Sequence, residues 1–245
     1  MSEPEKRVSE TKAVVATKFK VFVGSIFAPL TIFIAAQLIA AVALGLFIPG
    51  TFDEEVEATL IENFMYMVSF QLVALGLTWV LLKWRKYDLS WLGLGSRPKT
   101  KNMWLVFPAA GVYILAAAVS LVIIELLSTG VNLEQEQVVG FESASGPLQL
   151  GFAFLALVIL TPLTEEVLMR GFMFRNLNRA FGFVISALIS AAVFGLLHGQ
   201  INLFIDTFVL GLVLAWLVNK TNSLWPAIGL HSLKNGIAFL FLFVF

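Results

Sequence analysis

Cysteine is absent from the 245 residues. That excludes disulfides, thiolate metal ligands and a cysteine nucleophile. Histidine occurs only twice, so any acid–base or metal site must be assembled from two imidazoles plus carboxylates, amides or hydroxyls. Charge is also scarce, at 13% Asp, Glu, Lys and Arg against roughly 25% in soluble domains. The 16 basic residues balance 16 acidic ones, so the chain lacks the cationic footprint of a nucleic-acid binder. What fills the space is apolar: 59% of residues are hydrophobic and the mean hydropathy is +0.90. A water-soluble globule of this composition would expose apolar patches far beyond a few hundred Å². The chain therefore reads as a polytopic membrane protein.

Seven apolar runs follow one another: Val21–Ile48, Phe64–Leu82, Met103–Leu127, Pro147–Leu160, Phe183–Leu197, Leu203–Val218 and Leu224–Phe245. The fourth continues as a helix-like polar stretch to Arg179. The first is too long for a signal-peptide core of about 7–15 residues and reads as a retained span, with Pro29 as a potential kink. Except for the shorter fifth and sixth, the runs approach the ~20 residues needed to cross ~30 Å. Open strand edges cannot be satisfied in lipid, and no period-2 barrel pattern is present, so the runs are helical. The expectation is an all-α transmembrane bundle of about seven to eight membrane helices. It divides into a cytoplasmic tail at 1–20, N-terminal membrane helices at 21–146 and a core at 147–245.

Basic residues alternate along the chain. Lys6, Arg7, Lys12, Lys18 and Lys20 precede the first run; Lys83, Arg85, Lys86, Arg97, Lys99 and Lys101 follow the second. The intervening loop has Asp53, Glu54, Glu55, Glu57 and Glu62, and the loop after run three has Glu134, Glu136 and Glu142, with no Lys or Arg in either. Arg175 and Arg179 end run four, and Lys220 ends run six. By the positive-inside rule the N-terminus is cytoplasmic in a cell membrane, and seven full crossings would put the C-terminus outside.

Ionisable groups inside a span are costly and mark candidate functional sites. The first three runs hold few polar groups: Gln37 and Gln71 read as helix–helix hydrogen-bonding contacts, and Glu125 as interfacial. The last hundred residues instead collect Glu165, Glu166, Arg170, His198, Asn202, Asp206, His231, Lys234 and Asn235. Adjacent helical residues point about 100° apart, so Glu165 and Glu166 cannot share one role. Glu166 and Arg170 stand at i,i+4 and can pair. Glu165 has Met169 at that spacing and remains free. His231 and Asn235 share one helix face. Glu165 lies ~21 Å from the Arg179–Phe183 turn and His198 ~22 Å, while His231 and Asn235 lie ~16 and ~22 Å beyond Lys220 by helical rise. The groups can therefore meet at one depth. Asn202 and Asp206 could line the same cavity, or Asp206 could pair with Lys234.

A desolvated glutamate with a histidine around a water is a hydrolytic arrangement, and a second His with an Asn can donate hydrogen bonds to a developing oxyanion. Without an evident Ser or Thr nucleophile, direct attack by water is the simpler reading. A metal held by Glu, His and Asn donors and generating hydroxide is the other.

Glu165-Glu-Val-Leu-Met-Arg170 fits EExxxR, Phe194-Gly-Leu-Leu-His198 fits FxxxH and His231-Ser-Leu-Lys-Asn235 fits HxxxN. In this order, on successive late helices, they resemble the CAAX protease and bacteriocin-processing (CPBP) family of intramembrane endopeptidases, which includes Ras-converting CAAX endopeptidases and bacterial Abi proteins. The resemblance spans roughly Pro147 to Phe245; the first three runs inherit nothing from it. It implies peptide-bond hydrolysis at or within the membrane. Glu165 would activate the water with His198 assisting, His231 and Asn235 would hold the oxyanion, and Glu166 and Arg170 would support the site. The family carries the metalloprotease label, while related members are described as glutamate-dependent without an obligatory metal. A Zn²⁺ ion, if present, would take Glu165, His198 and His231. The implied partners are a peptide or membrane-associated protein substrate and the bilayer; the prenylated substrates of eukaryotic relatives do not carry over. The rival readings are a non-catalytic immunity or docking protein on the same scaffold, and a small proton-coupled transporter.

Overall fold

A computed structural model describes residues 3–47, 59–95, 99–127 and 140–245. Asp53, Glu54, Glu55, Glu57, Glu134 and Glu136, which mark the acidic loops, lie outside the described residues, as do Ile48 and Arg97. The side chains of Lys6, Arg7 and Lys12 are likewise not described.

The described chain is helical, with no strand among the described residues. Its helices are α1 (Glu3–Phe47), α2 (Leu60–Trp84), the short α3 (Leu89–Leu92), α4 (Thr100–Leu126), α5 (Pro147–Phe181), α6 (Phe183–Leu196), α7 (Ile201–Thr221) and α8 (Trp225–Phe243). Six of them, α1, α2, α4, α5, α7 and α8, are long and apolar enough to cross a membrane. The fold is thus a polytopic helical bundle, as the apolar runs predict. Within it α6, at 14 residues, reaches only ~21 Å by helical rise. The sixth run proves longer than its apolar stretch suggests, because Ile201, Asn202 and the 219–221 segment join α7 for 21 residues. Residues 3–20 are helical and continuous with the first span, Ala13–Phe47.

Local sequence sets the helix ends. Thr59 and Glu62 form a capping box at α2: Thr59 Oγ1 accepts from the Glu62 amide at 3.3 Å, and Glu62 Oε2 from the Thr59 amide at 2.7 Å. Together they satisfy two donors that the first turn leaves free. Pro147 opens α5 at N1, where its missing N–H costs nothing. Gly182, at φ 78°, supplies the left-handed residue that lets α5 turn into α6.

Two stretches of α5, Leu155–Leu160 and Val167–Phe174, are wound as π-helix. The first has a local cause. Thr161 donates its amide to Ala156 O, five residues back. The next residue is Pro162, which has no amide to give. The Leu157 carbonyl is therefore left without either ordinary intrahelical partner. Between the two π stretches, Thr161–Glu166 is regular α-helix, so Glu165 and Glu166 keep their ~100° separation.

Helices α6 and α7 cross closely because small residues face each other. A Cβ on Gly211 would sit 2.9 Å from Ala191 Cβ and 3.0 Å from Ala191 Cα, and one on Gly195 would sit 2.9 Å from the Phe204 carbonyl oxygen. In lipid, where apolar faces gain little from leaving the solvent, such close backbone approach is a main source of helix association. Polar contacts tie the halves of the chain together. Gln71 of α2 donates to Thr161 Oγ1 at 2.8 Å and accepts from Thr164 Oγ1 at 3.3 Å, the helix–helix contact its position predicts. Asn176 of α5 donates to Ser25 Oγ of α1 at 2.7 Å. One apolar core runs through both halves, from Ile32, Ala36 and Ala74 to Leu168, Leu214 and Leu230. Facing outward are side chains such as Phe27, Leu38, Leu115 and Leu126, as expected of surfaces solvated by lipid tails.

At one end of the bundle the basic helix termini converge. Trp91 O of α3 accepts from Arg175 Nε at 3.1 Å and Arg179 Nη2 at 3.3 Å. The Leu224 amide, at the α7–α8 junction, donates to Gly93 O at 3.0 Å.

Candidate functional site

Side chains of α5, of the turn that follows α6 and of α8 meet at a cavity of about 360 Å³ lined by Glu165, His198, His231, Lys234 and Asn235 among apolar neighbours; α6 ends at Leu196, two residues before His198. The four groups that sequence spacing places at similar depth therefore share one wall. Glu166 and Arg170 stand behind it and are fully buried.

The second glutamate organises the buried side. Glu166 Oε1 lies 3.1 Å from Arg170 Nη1 and 3.0 Å from His231 Nδ1. The i,i+4 ion pair expected from the sequence is thus present. Because the arginine keeps its charge, Glu166 acts as an ionised acceptor, and His231 Nδ1–H donates to it. That bond fixes the imidazole so that Nε2 points toward Glu165, 3.7 Å from Oε2. Glu165, without a helical partner in sequence, acquires one across the bundle. The two carboxylates differ as their 100° separation requires: the side chain of Glu166 is 0% exposed, and that of Glu165 is 23% exposed and faces the cavity.

Phe194 holds the centre. The guanidinium of Arg170 lies 4.2 Å from its ring centroid. His198 and His231 meet the same ring edge-on, at 4.9 and 5.8 Å between centroids. The phenylalanine of FxxxH therefore packs against the arginine of EExxxR and both histidines. Gly211 of α7 leaves room for the guanidinium, since a Cβ there would approach Arg170 Nη2 to 3.2 Å.

His198 Nδ1 lies 2.8 Å from Phe194 O. A carbonyl only accepts, so Nδ1 carries a proton, and in the neutral imidazole Nε2 is then the acceptor. Asn235 Nδ2 donates to Leu157 O at 3.0 Å, the carbonyl freed by the π turn and Pro162. One amide proton of Asn235 is thus spent on the backbone, and the second remains for the cavity.

Neither Asn202 nor Asp206 lines the cavity. Asp206 Oδ2 pairs with Lys234 Nζ at 3.2 Å, and Asp206 Oδ1 accepts from Tyr113 OH of α4; the ion pair is the arrangement that forms. Sequence reasoning missed three lining residues from the first two spans, Phe33, Met67 and Phe70. Apolar residues in an apolar run carry no signal of which one will face a site. As for a metal, no group of three or more His, Asp or Glu side chains among the described residues is placed to hold an ion. Glu165, His198 and His231 do not close into such a group.

Residues 147–237 match the family model described as Type II CAAX prenyl endopeptidase Rce1-like. The protein named "Putative membrane peptidase YdiL" of Bacillus subtilis (strain 168) is 29% identical over 77 residues, covering 31% of this chain and 32% of that protein. The chain thus matches about a third of that curated relative's length. No solved structure matches. The matched segment contains Glu165, Glu166, Arg170, His198, His231 and Asn235, so residues 147–237 are CAAX-protease-like, as the three motifs indicate.

Proposed function

We propose that the chain is an intramembrane endopeptidase that hydrolyses a peptide bond by direct attack of water. The observation that carries this reading is the convergence of Glu165 from α5, His198 from the turn after α6, and His231 and Asn235 from α8 on one largely apolar cavity. The family likeness of residues 147–237 supports it.

In this reading Glu165 takes a proton from a water held against the scissile carbonyl. His198, its Nδ1 proton engaged by the Phe194 carbonyl, accepts a hydrogen bond from the same water at Nε2 and fixes its lone pair on the carbonyl carbon. As the tetrahedral intermediate forms, its oxygen takes up negative charge. The free amide N–H of Asn235 and a protonated His231 Nε2 would donate to it, which is worth most in a water-poor site. Collapse breaks the C–N bond, and Glu165 returns its proton to the departing amine. Glu166 and Arg170 act by position: they hold His231 with Nε2 toward the cavity. No step is routed through a metal. The N-terminus is assigned to the cytoplasmic side of the cell membrane, because the described basic helix ends gather at one end of the bundle.

The test is cleavage of a peptide library by detergent-purified protein. Wild type is compared with Glu165→Gln, His198→Ala and a Lys220→Ala surface control, with and without chelator. Glu165→Gln and His198→Ala are expected to lower turnover by about 10²–10⁴-fold, with the control unchanged. Wild-type turnover by Glu165→Gln would refute the mechanism. Loss of turnover on chelation, restored by Zn²⁺, would replace it with a metal-dependent one.

A further inference from the structure

We infer that the pocket where the C-terminal end of α2, α3 and the C-terminal end of α5 meet is a binding site for the phosphate headgroup of an anionic phospholipid. It presents three cations, Lys83, Lys86 and Arg179, against one carboxylate, Asp88. The carboxylate is engaged locally: Asp88 Oδ1 accepts from Ser90 Oγ and, at 3.2 Å, from the Trp91 amide as the N-cap of α3. The hydrogen bond from Ser90, above all, holds its pKa below the usual aspartate range. Among the described residues none of the three cations is ion-paired to a carboxylate.

The cations are also positioned. Arg179 lies 4.6 Å over the Trp91 ring and donates to the Trp91 carbonyl. Trp91 is in turn stacked on Tyr87 at 4.7 Å. That anchors the guanidinium through one nitrogen and leaves the rest of its donor fork for a phosphate. Lys86 has φ 59°, the left-handed conformation that terminates α2. Its amide bonds Lys83 O at 3.0 Å and the Tyr87 amide bonds Leu82 O at 2.8 Å. Glycine is the residue that fits this position without strain. A lysine there breaks the local rule and brings a cation to the pocket, the kind of conflict that marks functional positions.

The depth of the pocket points to a lipid. Trp79 and Trp84 are exposed on the last turns of α2, with Lys83 5.7 Å over the Trp79 ring and Arg85 5.4 Å over Trp84. Exposed tryptophans with flanking cations mark the interfacial belt, where headgroups lie.

Native mass spectrometry of the full chain, in micelles holding equal amounts of phosphatidylglycerol and phosphatidylcholine, tests this directly. Wild type is expected to retain phosphatidylglycerol in preference. The preference should fall roughly fivefold for each lysine removed in Lys83→Ala and Lys86→Gly. Lys86→Gly relieves the backbone, so its unfolding temperature should equal or exceed that of wild type, which separates lost binding from misfolding. Equal retention of the two lipids, or an undiminished preference in the double variant, overturns the inference. Saturable binding of inorganic phosphate with no lipid preference assigns the pocket to a soluble phosphate and overturns it equally.

Discussion

Replacing Glu166 by glutamine tests whether the Glu166–Arg170 pair is what holds His231 in place. The substitution keeps shape and an acceptor for His231 Nδ1–H but removes the negative charge 3.1 Å from Arg170 Nη1. At that separation the Coulomb attraction is about 5 kcal/mol for an effective dielectric near 20. Arg170 has no exposed surface, so it cannot recover that loss from water. What remains is the face of Phe194 at 4.2 Å, a desolvated cation–π contact that contributes only about 2 kcal/mol, and the weaker pull of the Glu165 carboxylate. Breaking one partner of such a pair costs about 3–5 kcal/mol, whereas replacing both by uncharged groups costs much less. A double-mutant cycle of Glu166→Gln, Arg170→Met and the combination, read by SDS or thermal unfolding in detergent, is expected to give a coupling of about 2–3 kcal/mol. Peptide cleavage should fall in both single variants even at temperatures where they remain folded, because the residue-166 acceptor that orients His231 is no longer held in place by an ion pair. Additive costs, with no coupling, would refute the reasoning.

Gly211→Val should destabilise by about 1–3 kcal/mol, because its Cβ would meet Ala191 and crowd Arg170 Nη2; thermal unfolding measures it. Phe194→Leu preserves an apolar core but deletes the ring under Arg170. It should cost about 2 kcal/mol in wild type and much less in an Arg170→Met background. Asn235→Ala leaves Leu157 O without its side-chain donor and should cost about 1–3 kcal/mol, alongside a drop in turnover; unchanged stability would show that the carbonyl is satisfied otherwise. Gln71→Leu removes both hydrogen bonds to the Glu165 helix and should cost about 0.6–1.7 kcal/mol in detergent unfolding.

Much of the candidate site was legible because charge inside an apolar run is rare enough to stand out. Glu165, Glu166, Arg170, His198, His231 and Asn235 could be picked by eye, and helical spacing alone separated the two glutamates and paired Glu166 with Arg170. Gln71 was legible for the same reason. What spacing could not reach was any relation across helices. His231 bonding to Glu166 rather than standing with Asn235 depends on how α8 rotates against α5. Asn235 reaching Leu157 O depends on a π turn. Its cause, Pro162, is visible in the sequence, but its winding is not. The apolar wall from Phe33, Met67 and Phe70 was invisible, since every neighbour in those runs is equally apolar.

Composition and hydrophobic run length by themselves determined that the chain is a helical membrane bundle, because lipid leaves unsatisfied backbone no alternative. They also determined which few side chains could carry chemistry. Tertiary structure alone decided how those side chains are used. It set Glu166 behind the cavity and Glu165 into it, turned His231 between them, chose Lys234 as the partner of Asp206, and brought Lys83, Lys86 and Arg179 to one pocket. The physical reason is directional. Hydrophobic burial is roughly proportional to area and can be read from a string, whereas hydrogen bonds and ion pairs depend on ångström distances between helices that no local spacing fixes.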